Sequence, residues 1–331
     1  MYTNLEKKET KIKTSAEVVD IKSHANGVDV HLKDGSIVKG SIVIGADGVH
    51  SKTRALMQSL AKVQDPSVTE NGDDYPMISS FHGIFARASN DDLRIEKAVL
   101  FESRGAGAVI QCTATEDIVH FVTLKPLPEP TTARTRYTAQ DMEDYAASIA
   151  DVAVCPGVKF RDLWAKVDKS SARKLNQEEG FLKRWHHSRI VLVGDAVHKS
   201  TSVNGLGLTC GLHSAAVLAN ELQKLFASHQ SQLLATDLLD ETFSRYQSLR
   251  ETEAKQIWDN GHSMIREVTR KSWVSWFWDN YVLPWFDMEK TARGILVSWL
   301  LIRNGQTLSY VPFEGKHGIV PWRRRANVQS V

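Results

Sequence analysis

RIVLVGDAVHKSTSVNGLGLTCGLHSAAVLANEL, running from Arg189 to Leu222, carries the strongest architectural signal in the chain. After Arg189 it opens with four consecutive aliphatic residues, Ile190 to Val193, the clearest strand pattern in the chain. That strand runs straight into Gly194-Asp195-Ala196. From Gly205 to Lys224 the chain turns rich in alanine and leucine at helical spacing, with glycines gathered at the start. A strand, a glycine-bearing turn with a carboxylate, and then a long helix is how an open α/β sheet presents a ligand loop at the carboxyl edge of its strands. The helix start aims free N–H groups and the positive dipole end at that loop, which favours anionic atoms there.

Working outward, residues 16–44 alternate as a β-meander, with turns at His24–Gly27 and at Asp34-Gly35. The β-branched run Ser41–Ile44 is expected to be a strand buried on both faces, and it ends in a second glycine-aspartate turn, Gly45-Ala46-Asp47-Gly48. Residues 75–125 read as short apolar stretches parted by polar turns, the signature of an antiparallel sheet. Pro126, Pro128 and Pro130 are expected to end that ladder in a loop. Helical spacing is present at 139–152 and at 159–167, where Phe160, Leu163, Trp164 and Val167 share a face, and again at 236–271.

Composition narrows the classes without choosing among them. The chain has 331 residues, 42% hydrophobic and 24% charged, enough for one large or two ordinary cores. Its 41 basic and 39 acidic residues are spread along the chain, so a nucleic-acid partner is not expected. Cys112, Cys155 and Cys210 are far apart and lack CxxC spacing, which fits a reducing compartment and gives no metal site. The first residues hold no apolar segment of the kind a secretory signal needs. An intracellular location, cytoplasmic or membrane-associated, follows as the expectation.

GADGVHSKTR, Gly45–Arg54, resembles the internal GADGxxSxxR motif of the para-hydroxybenzoate-hydroxylase-like flavoprotein monooxygenases. The stretch beginning at Arg189 resembles the same family's GDAAH motif with the glycine-punctuated loop and helix that follow it. The resemblance implies an α/β (α+β) fold: a partial FAD-binding Rossmann-like domain at residues 1–70 and 171–225, an antiparallel β-sheet substrate-binding domain at 71–170, and a helical, aromatic-rich C-terminal region at 226–331. It also implies FAD as cofactor and NADPH as reductant, with one oxygen atom inserted into an apolar prenylated or polyketide-derived small molecule by epoxidation or hydroxylation. Asp195 is expected to meet the ribityl chain, while Ala196, Gly205, Gly207 and Leu208 let backbone approach the ring. Asp47 is expected near the pyrophosphate, with Ser51 and Arg54 fixing its loop. A turn whose aspartate caps its own helix is the alternative for Asp47. No side chain is given a catalytic role, because the flavin carries the oxygen chemistry. His198 is expected to pack beside the cofactor, and His186 and His187 to be a solvated pair on an exposed turn.

The chain also departs from that family. Ser202, Val203, Thr209 and Ser214 stand where the family commonly has Pro and Asn in the loop and an Asp late in the helix. Gly27, Gly35 and Gly40 form no GxGxxG fingerprint, so the sequence reads as N-terminally truncated and is expected to bind FAD weakly or not at all alone. A flavin-free derivative or an incomplete gene model retaining the fold is the competing class. Near the C-terminus, Trp273, Trp276, Phe277, Trp278, Tyr281, Trp285 and Phe286 precede GILVSWLLI at 294–302. Neither run is long enough for a membrane span; a surface lying in a membrane interface and a core helical pair over the substrate sheet both remain open. The stretch at 310–322, YVPFEGKHGIVPW, resembles the tail of fungal monooxygenases that epoxidise prenylated aromatic or indole-diterpene intermediates.

Overall fold

The computed structural model describes residues 5–64, 77–229, 234–269, 273–277, 281–282, 285 and 304–312. Numbered along the chain, α1 (Lys8–Lys11) precedes β1 (Val18–His24), β2 (Gly27–Leu32) and β3 (Ile37–Gly40), and β4 (Val43–Gly45) leads into α2 (Lys52–Gln64). Then come β5 (Ile78–Ser89), β6 (Leu100–Gly105), β7 (Ala108–Ala114) and β8 (Ile118–Thr131). They are followed by α3 (Ala139–Ser148), a small hairpin of β9 (Ala153–Cys155) and β10 (Val158–Lys159), and α4 (Phe160–Ala165). β11 (Arg173–Phe181), β12 (His186–His187), β13 (Ile190–Leu192) and β14 (His198–Lys199) bring the chain to α5 (Gly207–Ser228), α6 (Thr236–Thr269) and α7 (Trp273–Phe277).

Mixed helices and antiparallel sheets are thus the architecture, as the sequence indicated. The largest sheet has the order β14-β11-β5-β8-β7-β6 and draws strands from both sides of residue 170. One of its faces packs Ile84, Ile110 and Phe121 against Phe160, Leu163 and Trp164 of α4. Thr138 caps the neighbouring helix α3 by accepting from the Asp141 N–H, and the Asp141 carboxylate accepts from the Thr138 N–H in return, at 3.2 and 2.7 Å. Among the described residues, the opposite, front face is covered at one end, where Phe81, Val109 and Leu124 meet Val203, Ile265 and Val268. A second core gathers Ile190, Val191 and Leu192 of β13, the strand expected from the aliphatic run, with α2, α5 and α6, and all three strand residues are fully buried.

Three expectations change. Pro126, Pro128 and Pro130 lie within β8 instead of ending it, with Pro126 opposite Phe81 of β5. β7 stops pairing at Leu124, so beyond that point one side of β8 has no ladder, and prolines spaced by two share a side. Ile44 is 45% exposed, because β4 is an outer strand of the described sheet β12-β13-β4 and no described element covers that side chain. His186 and His187 form β12, paired to Val191 and Ile190, instead of an exposed turn. His186 Nδ1 lies 3.2 Å from Asp240 Oδ1 with its side chain mostly covered. Among the described residues no helix is long and apolar enough to cross a membrane. The 294–302 run, the 313–322 part of the tail, Trp278 and Phe286 lie outside the described residues.

Candidate functional site

β4 and β13 run parallel, with Val43 opposite Ile190 and Gly45 opposite Leu192. Parallel strands end at the same edge, so the turns that follow them are neighbours, and the Val193 N–H donates to the Gly45 carbonyl at 2.9 Å. Gly45 has to be a glycine: a Cβ there would sit 2.7 Å from Leu192 Cδ2 and 2.8 Å from Thr53 Cγ2. α2 therefore starts directly above the strand. Arg54, in its first turn, donates from Nη1 to the Ala196 carbonyl at 2.9 Å and from Nη2 to the Val49 carbonyl at 2.6 Å. One guanidinium ties the two motifs together, although 142 residues separate them in the chain.

Asp47 is turned back on its own helix. It accepts from the Ser51 hydroxyl, from the Thr53 N–H at 2.9 Å and from the Thr53 hydroxyl at 3.0 Å. Partial burial pushes its carboxyl up, and the Ser51 and Thr53 hydrogen bonds outweigh this and leave it below the ordinary aspartate value. The self-capping geometry weighed from the sequence is the one present. Ser51 completes the turn by accepting from the Arg54 N–H at 2.9 Å.

Asp195 sits in a 3₁₀ turn, Gly194–Ala196, immediately after β13. One carboxylate oxygen lies 3.3 Å from Lys199 Nζ, and the side chain stays 39% exposed, so acceptor capacity remains toward a ligand. The close approach of Gly194 and Gly211, where a Cβ on either would be within 3.8 Å of the other's Cα, presses the first turns of α5 onto this loop. The start of α5 has no side-chain cap. Around it, Gly205 adopts φ +67, which disfavours other residues, and a Cβ at Gly205 or Gly207 would meet nothing within 4 Å. Leu208 is 78% exposed. An uncapped helix start with glycine-bared backbone and a half-open carboxylate beside it fits a planar, partly anionic group with a hydroxylated chain.

The front face of the large sheet faces the same loop. Beyond the end that described residues cover lies an open concavity of about 640 Å³ lined by Phe85, Leu100, Gln111, His120, Val122 and Leu175, mostly apolar. Gln111 Nε2 reaches the Val203 carbonyl at 3.1 Å, joining this floor to the turn that precedes α5. A smaller and more polar cleft of about 450 Å³ lies beside the first motif, between His50, Arg54, Lys62 and Glu178.

His198 is buried among Phe181 and Trp185 and shares a hydrogen bond with the Ser214 hydroxyl at 2.9 Å. Burial, then the nearby Arg250 charge, push it down to about 4, so it is neutral under ordinary conditions. Arg250 is itself fully buried, donating to Ser214 Oγ at 3.3 Å and to Glu253. Among the described residues no cluster could hold a metal ion. Arg189, which the sequence reading used only as the start of a strand, donates to the carbonyls of His24, Ala25, Ser41 and Leu234 while 1% exposed. Those carbonyls lie up to 165 residues away, and no local pattern marks them.

Fold and site together define a nucleotide-cofactor protein in which two loops at one sheet edge meet an apolar floor. The family profile described as FAD binding domain matches residues 1–260. The chain is 60% identical to the FAD-dependent monooxygenase srdH of Neurospora crassa, over 99% of this chain and 75% of that protein. It is 31% identical to the FAD-dependent monooxygenase prhF of Penicillium brasilianum, over 91% of this chain and 63% of the relative. A crystal structure of Klebsiella pneumoniae HpxO complexed with FAD and uric acid matches with a TM-score of 0.65 at 18% identity, over 86% of this chain and 66% of that one. The chain belongs to the FAD-dependent monooxygenase family. It spans three quarters of the Neurospora relative and under two thirds of the Penicillium one.

Proposed function

We propose that the chain forms the flavin-ring and substrate half of a monooxygenase of fungal secondary metabolism. In this reading it inserts one oxygen atom, by epoxidation or hydroxylation, into an apolar prenylated or polyketide-derived small molecule, with NADPH as the reductant. The observation that carries it is the Arg54 bridge to Ala196, which brings both motif loops to one edge facing the apolar concavity. When bound, FAD supplies the electron transfer and oxygen activation.

The chain's own residues supply the setting. Asp195 accepts hydrogen bonds from the ribityl chain. The uncapped start of α5 would offer its free N–H groups to anionic atoms of the flavin and so favour its reduced form. Gly205 and Gly207 would leave room for the ring close to the backbone, with exposed Leu208 beside it. Arg54 and Asp47 hold the first loop in shape beneath the pyrophosphate. Phe85, Leu100, Val122 and Leu175 give the substrate a dry floor. His50 and the Arg54 and Lys62 cations line a cleft suited to the phosphates of the reductant. The test is FAD titration of the purified chain by flavin fluorescence, followed by NADPH-dependent oxygen consumption with prenylated aromatic substrates. Saturable FAD binding and substrate-stimulated consumption support the reading; no binding at any accessible concentration contradicts it for this chain.

A further inference from the structure

The Ser202–Asn204 turn, which leads into α5, is held from three sides. From β11, the Gln177 side-chain oxygen accepts from the Ser202 N–H at 3.2 Å and from the Ser202 hydroxyl at 2.7 Å. Gln177 is only 5% exposed, so this oxygen has little access to water as an alternative donor. From β7, Gln111 donates to the Val203 carbonyl at 3.1 Å while also bonding Glu102 Oε2 at 2.8 Å. Helix α6 provides the third side: Asn204 Nδ2 donates to the Ile257 carbonyl at 3.2 Å and Thr201 Oγ1 to the Gly261 carbonyl at 3.3 Å. Gly261 is needed for this approach, because a Cβ there would come within 2.9 Å of Asn204 Nδ2 and closer still to Ser200 Oγ. Between these supports Val203 is buried against Phe81, Val109 and Leu124 of the sheet.

We propose that Gln177 and Gln111 are positioning residues that fix the Ser202–Asn204 turn, and through it the start of α5, at a set distance from the front face of the sheet. The inference rests on the reading of that helix start as the flavin-facing surface. Both glutamines belong to the sheet whose front face continues into the open concavity, so substrate floor and cofactor edge are indexed to one rigid element. Ser202 also lies in the loop where the motif that this sequence resembles commonly carries a proline, and this loop has none. A proline fixes its turn through its ring; here a buried amide oxygen does the same by hydrogen bonding.

The backbone supplies a rescue test. Thr201 has φ −61 and ψ 157, the extended conformation required of a residue before proline, and Ser202 opens a 3₁₀ turn. Gln177→Met removes the acceptor at nearly constant volume; adding Ser202→Pro removes both orphaned donors and restores the restraint covalently. The full chain is compared by amide hydrogen exchange without cofactor, by FAD titration and by thermal unfolding, with Ser202→Ala as a milder variant should Gln177→Met fail to fold. We expect Gln177→Met to speed exchange selectively at residues 201–206 and to weaken FAD binding roughly tenfold, and the double variant to recover both. Unchanged exchange in that turn overturns the proposal, as does accelerated exchange with unaltered FAD affinity. A uniform rise in exchange across the chain also overturns it, since it reduces Gln177 to a general stabiliser. Should the parent chain bind no FAD, the functional reading fails on its own, and selective exchange with rescue still establishes the clamp.

Discussion

Arg189 shows how much one buried side chain does here. Its guanidinium serves four backbone carbonyls from three separate segments, and each would be left without its partner by truncation. Arg189→Met should cost about 3 kcal/mol or more in urea unfolding. Arg189→Lys should recover only part of this, because an ammonium cannot reproduce the planar fork. Asp195 makes the opposite case, a half-exposed carboxylate with Lys199 beside it as its partner among the described residues. Asp195→Ala should leave folding nearly unchanged and weaken FAD retention by about 1–3 kcal/mol; equal flavin affinity in parent and variant would refute the assignment. His198 adds a pH dependence. Its folded value is pushed down to about 4, whereas an unfolded histidine titrates near 6.5, so as pH falls the unfolded chain takes up the proton first. Stability is full above about 6.5 and declines toward about 4, by up to about 1.4 kcal/mol per pH unit for this residue. His82 and His213, also pushed down to about 4 by burial, add to the slope in the same direction. Unfolding of His198→Gln across this window should show a shallower decline; an unchanged slope would mean that His198 titrates normally.

At the scale of elements, the parallel pair of β4 and β13 is what makes two distant sequence motifs into one site. Gly45→Val would drive a side chain into Leu192 and Thr53, forcing α2 off the strand and costing about 1–3 kcal/mol by overpacking. Circular dichroism and thermal unfolding read this, and a variant as stable as the parent would show that α2 is not seated as described. The aliphatic run at Ile190–Val193 and the long amphipathic α5 and α6 were legible in the sequence because their periodicities are strong and local. The proline run in β8 was misread, because edge position decides whether a missing N–H matters and edge position is a tertiary property. His186 and His187 were misplaced for a related reason: pairing with Val191 and Ile190, and the Asp240 contact from α6, are set by partners elsewhere in the chain. Family resemblance alone suggested that the two motif loops serve one cofactor, and the Arg54 bond to the Ala196 carbonyl that joins them was not foreseen. Nothing in the spacing of Gln177 or Gln111 announces that they grip a turn 25 and 92 residues downstream.

Across the whole molecule, the large sheet presents its back to α3 and α4 and its front to the loop before α5, so one plate is a structural wall on one side and, in the proposed reading, the substrate floor on the other. α6 fastens this plate to the second core: Phe243 and Tyr246 belong to the core around β13, while Ile265 and Val268 pack on the front of the sheet. The arrangement explains how a chain without an evident acid, base or nucleophile set can belong to an enzyme family. In the proposed reading its residues hold and orient the cofactor and exclude water, while the cofactor carries the chemistry. The most direct test is a crystal structure of this chain soaked with FAD. The isoalloxazine should lie at the uncapped start of α5, facing the front of the sheet, with a ribityl hydroxyl on Asp195. Flavin density anywhere else, with Asp195 bonded only to Lys199 and solvent, would contradict the assignment.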